Sequence, residues 1–230
     1  MSVGSTELGK RADVPASPAP GAGTDLVRRL VQLYVGLLLY GLGSSLLVLA
    51  NLGLDPWNVF HQGLARHSSL GIGTWTIIVG FVVLLLWIPL RQRPGIGTVS
   101  NVIVIGLVVD IVLGHVGPPH ALGWRVTYLL LGVLFSGIAT GAYIGAGLGP
   151  GPRDGLMTGI AARGHSIRLV RTCLELTVLA TGWLLGGTVG VGTVVYAVSI
   201  GPLAHVFIPL LSRGTRATPI PDAGVVESLS

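Results

Sequence analysis

The sequence predicts an all-α membrane protein: six transmembrane helices forming two inverted three-helix repeats, each with a short extra helix after its first span. Three observations lead there. Half of the 230 residues are hydrophobic and only 10% are charged, where a soluble chain carries roughly a quarter charged. Six charge-poor stretches have the length of a membrane span. The chain also matches itself, first at an offset of 96 residues and then at 95.

Composition alone excludes several classes. A mean hydropathy of +0.77 with long apolar runs rules out a disordered chain, a disulfide scaffold and an ordinary cytosolic domain. The single cysteine, Cys173, excludes an intramolecular disulfide and a cysteine-based metal site. The net charge of +5 is spread over arginines flanking apolar runs. No basic helix with interleaved aromatics occurs, so the expected partner is the lipid bilayer and not nucleic acid.

The elements follow in order. Residues 1–27, with Pro15, Pro18 and Pro20, read as a flexible cytoplasmic tail, and 212–230 as another. The first three-span repeat occupies 28–116 and the second 117–211. A hydrocarbon core of about 30 Å needs about 20 helical residues, which places spans at 28–51, 71–90, 96–115, 125–148, 168–187 and 190–211. The first apolar run is too long for a signal-peptide core and stays as a span. From Thr172 to Ser212 only Glu175 is charged, and that stretch is twice a span's length, so it crosses twice with a turn at 186–190.

Basic residues set the orientation, because they are retained on the cytoplasmic side. With the N-terminus inside, Lys10, Arg11, Arg28, Arg29, Arg91, Arg93, Arg153, Arg163, Arg168, Arg171, Arg213 and Arg216 all lie inside, and only Arg66 and Arg125 lie outside. Both termini are therefore expected in the cytoplasm. Trp57, Trp75, Trp124 and Trp183 are expected at the outer interface and Trp87 at the inner one.

The repeat keeps register over many positions. Gly36, Gly41, Ala50, Gly53, Pro56 and Gly63 match Gly132, Gly137, Ala146, Gly149, Pro152 and Gly159, with Asn58 opposite Asp154. After a one-residue slip, Gly95-Ile96-Gly97-Thr98-Val99 matches Gly190-Val191-Gly192-Thr193-Val194. Three spans per copy is an odd number, so the copies lie in opposite orientations, an arrangement recurrent in secondary transporters. Gly137, Gly141, Gly145 and Gly149 recur at every fourth position, a smooth face suited to close helix approach.

Residues 53–71 and 149–167 are too polar to span. Pro56 and Pro152 suit the first turn of a short helix in each. If those helices dip into the protein, their free amides and Asp55, Asn58, Arg153 and Asp154 meet a solute; the alternative is a pair of interfacial helices. Ionisable groups within spans are costly and mark function unless paired. Asp110 and its repeat partner His205 are candidates for ion coupling, with a helix-end polar anchor as the alternative for Asp110. Glu175 stands one turn beyond Arg171 and is expected to pair with it, and it completes the coupling set. His61, His67, His115, His120 and His165 show no metal-ligand spacing, and no phosphate loop, nucleophile elbow or dinucleotide fingerprint occurs. No catalytic residue, metal or cofactor is assigned, and the protein is not expected to be an enzyme.

The segments Leu52-Gly53-Leu54-Asp55-Pro56-Trp57-Asn58, Gly95-Ile96-Gly97-Thr98-Val99-Ser100-Asn101 and Gly149-Pro150-Gly151-Pro152-Arg153-Asp154-Gly155-Leu156-Met157 resemble the YczE/YyaS/YitT family of bacterial multi-pass membrane proteins. The resemblance covers roughly residues 28–211. It implies a location in the bacterial plasma membrane, and it brings no substrate or cofactor.

The function expected from these features is a secondary permease or exporter of an unknown small solute, working by alternating access of the two repeats. One alternative is a non-transporting scaffold or regulatory subunit of an export or biosynthetic complex, its glycine faces serving as interfaces to a partner membrane protein or to a second copy. Another is a substrate-capture subunit of a transporter.

Overall fold

A computed structural model describes residues 22–212, which form eight α-helices. They are α1 (Ala22–Ala50), α2 (Pro56–Arg66), α3 (Ile72–Leu90), α4 (Ile96–His115), α5 (Leu122–Gly145), α6 (Pro152–Ala161), α7 (Ile167–Leu184) and α8 (Val191–Leu211). Five of them, α1, α3, α4, α5 and α8, are long and apolar enough to cross a membrane. The remaining expected span, 168–187, corresponds to α7, whose 18 residues include Arg168, Arg171 and Glu175. α2 and α6 are the two short helices. α1 begins within the stretch expected as an N-terminal tail. Residues 1–21 and 213–230, with Lys10, Arg11, Arg213 and Arg216, lie outside the described residues.

Local chemistry accounts for the short helices. Each begins with proline at its first position, where the missing N–H costs nothing. Asp55 caps α2 by accepting from the Asn58 backbone N–H, while α6 has Gly151 at its cap and no side-chain cap bond. The chain reaches both helices through left-handed residues in the same register: Asn51 and Gly53 (φ 49° and 115°) before α2, Gly147 and Gly149 (φ 63° and 126°) before α6. Asparagine and glycine are the residues that adopt this region at least cost.

α1 and α5 form the centre. A Cβ on Gly36 would sit 2.9 Å from the Ala142 Cβ, and one on Gly132 would sit 2.9 Å from the Gly43 carbonyl oxygen, so the two backbones are nearly in contact. The outer faces of the same helices repeat the device. Gly41 lies against Val108 of α4, and Gly137, Gly141 and Gly145 lie against Leu203, Phe207 and Leu211 of α8. Three of the four periodic glycines thus serve packing within the chain. The fourth, Gly149, is in the turn before α6, against Thr98 and Gly95.

The short helices cross over. α2 packs on α7 and α6 packs on α3, so each lies against the second long helix of the other half. The starts of α4 and α8 are held in the same way, with Gly97 N donating to Leu148 O at 2.9 Å and Gly192 N to Leu52 O at 2.8 Å. The halves differ at one seam. α3 runs along α4, with Gly73 against the Gly106 carbonyl, whereas α7 does not pack along α8.

Two tryptophans are covered by protein. Trp57 and Trp87, expected at membrane interfaces, are buried at 6% and 2% exposure. Trp87 donates to Pro152 O at 3.1 Å, filling the space between α3 and α6. Trp124 and Trp183 are exposed.

Candidate functional site

A cavity of about 150 Å³ lies where the two short helices begin and where α7 and α8 stand apart. Its walls are α5, the first turns of α2 and α6, the facing sides of α7 and α8, Tyr40 of α1, and Asn101 and Ile105 of α4. Asp55, Arg153, Asp154 and Glu175, four of the residues singled out above, all line it. Asn58 stands directly behind Asp55: its backbone N–H donates to Oδ1 at 3.3 Å and its amide Nδ2 to Oδ2 at 2.5 Å. Asp55 and Asn58 are 2% and 3% exposed.

Arg153 occupies the middle of this group. Its guanidinium lies 5.2 Å from the Trp57 ring centre and 6.0 Å from that of Tyr40, within the range where a ring face attracts a cation. Its ion-pair partner is Asp55, with Nη1 3.7 Å from Oδ1. Asp154, the next residue, accepts a hydrogen bond on Oδ2 from the Tyr143 hydroxyl at 2.7 Å. On the α7 side, Arg171 Nε donates to Glu175 Oε1 at 3.0 Å, one turn apart as expected. Tyr196 of α8 completes the wall, its hydroxyl 3.5 Å from that of Tyr40.

A second cavity, of about 20 Å³, lies on the other side of Trp57 and Arg153, against α3 and α4. By repeat position its Thr76, Gly80, Asn101 and Ile105 stand in the places of Arg171, Glu175, Tyr196 and Ile200, and Asn101 and Ile105 line both cavities. That volume is about what one water molecule needs. The larger cavity accompanies the open seam and the smaller one the closed seam.

His61 lines the small cavity, on α2 and outside the spans. Thr76 donates its hydroxyl to Ile72 O at 2.9 Å, so its oxygen accepts from His61 Nδ1 at 3.1 Å. That leaves His61 Nε2 as a bare acceptor, and neither it nor Trp57 Nε1 has a hydrogen-bond partner among the described residues. Burial, reinforced by the Arg153 guanidinium, pushes the imidazole down to about 3, so it is neutral at ordinary pH.

The structure does not bring Asp110 and His205 to either cavity. Asp110 accepts from the Gly73 backbone N–H at 2.7 Å and the Thr74 hydroxyl at 2.6 Å, which ties α4 to the start of α3. His205 is exposed on α8. Sequence reasoning missed Tyr40, Tyr143, Tyr196 and Arg171 as site residues. A signal existed for Tyr196, which stands at the repeat position of Asn101 and so breaks the register with a large side chain.

A family model described as a family of unknown function (DUF6198) matches residues 27–209. An uncharacterized protein of Haemophilus influenzae is 43% identical over 182 residues, covering 79% of this chain and 84% of its own length. The uncharacterized membrane protein YczE of Bacillus subtilis is 34% identical over 188 residues, covering 80% and 87%. The uncharacterized protein YyaS of Bacillus subtilis is 26% identical over 186 residues, covering 78% and 92%. No solved structure matches the chain.

Proposed function

The chain belongs to this family of unknown function (DUF6198), the family of YczE and YyaS, and from that premise we propose that it is a secondary permease or exporter of a small solute. It is a multi-pass membrane protein. In this reading it has six spans in two inverted repeats, lies in the bacterial plasma membrane and has both termini in the cytoplasm. α7 supplies the fifth of the six spans in chain order, about 27 Å long at 1.5 Å per residue. Its charges Arg171 and Glu175 pair with each other at the cavity wall, where a span tolerates them.

One observation carries the reading: a charged cavity inside an apolar bundle at the seam where two otherwise matching halves differ. In the orientation set by the basic residues, that seam opens toward the cytoplasm and the α3–α4 seam is shut toward the outside. Exchanging the packing of the two seams would move the opening to the other face, with Arg153, Asp55 and Trp57 at the crossing point. Glu175 is the coupling candidate located at the cavity; Asp110 and His205 have no part in this reading. The glycine faces that a scaffold would present to partners are occupied inside the bundle.

Purified protein in sealed vesicles tests this. Uptake of a member of a solute panel under an imposed proton or sodium gradient supports a permease. No uptake of any member, together with reproducible co-purification with another membrane complex, would favour the scaffold.

A further inference from the structure

We propose that the solute bound in the large cavity is a small zwitterion, its carboxylate on Arg153 and its cationic group on Asp154. This rests on reading the cavity as the solute site.

Three of the five charges in the cavity wall are already satisfied. Asp55 uses both carboxylate oxygens on Asn58. Glu175 and Arg171 neutralise each other at 3.0 Å. Arg153 is different. Its side chain is 25% exposed, it lies over the Trp57 and Tyr40 rings, and the described residues give it one ion-pair contact at 3.7 Å and no hydrogen bond. With no hydrogen bond among the described residues and part of the side chain open to the cavity, its N–H fork is free to take a carboxylate with two parallel bonds. Trp57 Nε1, a buried donor beside it, also lacks a partner among the described residues.

Asp154 is the complementary case. Tyr143 donates to Oδ2, and among the described residues neither oxygen lies within ion-pair distance of a cation. The five charged side chains of the wall sum to one negative charge, and Asp154 carries it unpaired. A simple anion fits the fork and meets a net negative wall. A simple cation suits Asp154 and leaves the fork unfilled. A solute with both poles serves both and adds no net charge to a site that water does not fully reach. The size agrees, since a cavity of about 150 Å³ holds a molecule of about benzene's size.

The test is calorimetric titration of the purified full chain with three zwitterions (glycine, β-alanine and glycine betaine) and with the separate poles, acetate and tetramethylammonium. The expected result is binding of at least one zwitterion, with both single poles weaker by about tenfold or more. Arg153→Lys, which keeps the charge and loses the fork, and Asp154→Asn should each weaken that binding by about tenfold or more. Ala204→Leu, which fills the cavity from α8 and touches no charge, should abolish it and covers the case in which a charge variant does not fold. Failure of all three zwitterions to bind, binding of acetate or tetramethylammonium at equal strength, or unchanged binding in folded Ala204→Leu overturns the proposal. Vesicle uptake separates this from the permease reading. Zwitterion binding without transport sinks the permease alone, and transport of a solute lacking either pole sinks the zwitterion alone.

Discussion

Arg29 and Arg125, 96 positions apart, make the same contact on opposite halves of the protein: Arg29 Nε donates to Ala146 O at 2.7 Å and Arg125 Nε to Ala50 O at 2.8 Å. Each guanidinium also reaches the next carbonyl, at Gly147 and at Asn51. Each therefore caps the C-terminal end of the other half's first helix, where a positive charge and the free carbonyls attract. Arg29→Gln and Arg125→Gln should each destabilise the protein by about 1 kcal/mol, because both sites are partly exposed. Thermal unfolding in detergent reads the cost, and a loss confined to one of the two would contradict equivalence of the halves.

The α1–α5 contact leaves no room for a side chain. A Cβ at Gly43 would sit 3.0 Å from the Gly132 carbonyl oxygen and 3.0 Å from Ser136 Oγ. Gly43→Val should cost about 1–3 kcal/mol. Gly123→Ala, where a Cβ meets nothing within 4 Å, should leave unfolding unchanged or slightly improved. Equal effects of the two variants in the same thermal assay would refute the close approach.

Asp110 joins α4 to the first turn of α3 through two hydrogen bonds. Asp110→Asn keeps one acceptor and loses the charge facing a helix N-terminus, so a loss of about 1–2 kcal/mol is expected. The pH profile of vesicle uptake should stay that of the wild type. A displaced profile would return Asp110 to the coupling machinery.

Much of this was legible in the chain because hydrocarbon and helix geometry allow few choices. Charge-poor runs of span length mark α3, α4, α5 and α8 to within three residues and the end of α1 to within one, although α1 starts six residues earlier, and Pro56 and Pro152 mark where α2 and α6 begin. In the chain Arg29 and Arg125 stand only as orientation signals, although their spacing equals the repeat offset; a charge at a helix start does not reveal which distant carbonyl it reaches. Asp55, Asn58, Arg153 and Asp154 stand out by position in the short helices; Asp55, Arg153 and Asp154 line one cavity, with Asn58 bonded behind Asp55. The aromatic wall was not anticipated, because Tyr40, Tyr143 and Tyr196 sit in long helices where a tyrosine looks like any other packing residue. The difference between the α3–α4 and α7–α8 seams could not be read from a repeat at all, since matching sequence argues for matching packing.

His61 supplies a pH prediction. Its imidazole is buried and held neutral, down to about 3 in the folded protein against about 6.5 for a free histidine. Above the unfolded value neither state binds the proton, and stability is unaffected. As pH falls below about 6.5 only the unfolded state takes it up, so stability drops by up to about 1.4 kcal/mol per pH unit from this group. Chemical denaturation between pH 7 and pH 5 should show a fall that is shallower in His61→Gln. An identical slope in the two proteins would mean that His61 is not buried neutral.

Alternating access requires the open α7–α8 seam and the closed α3–α4 seam to exchange. Spin labels at equivalent positions read this directly: native Cys173 with Val198→Cys across α7–α8, and Ile78→Cys with Ile103→Cys across α3–α4 in a Cys173→Ser background. All four positions are exposed and none lines the charged cavity. Pulsed distance measurements in lipid vesicles should give two populations for each pair, and conditions that lengthen one distance should shorten the other. A single unchanging distance in both pairs, with and without candidate solutes and ion gradients, would contradict alternating access.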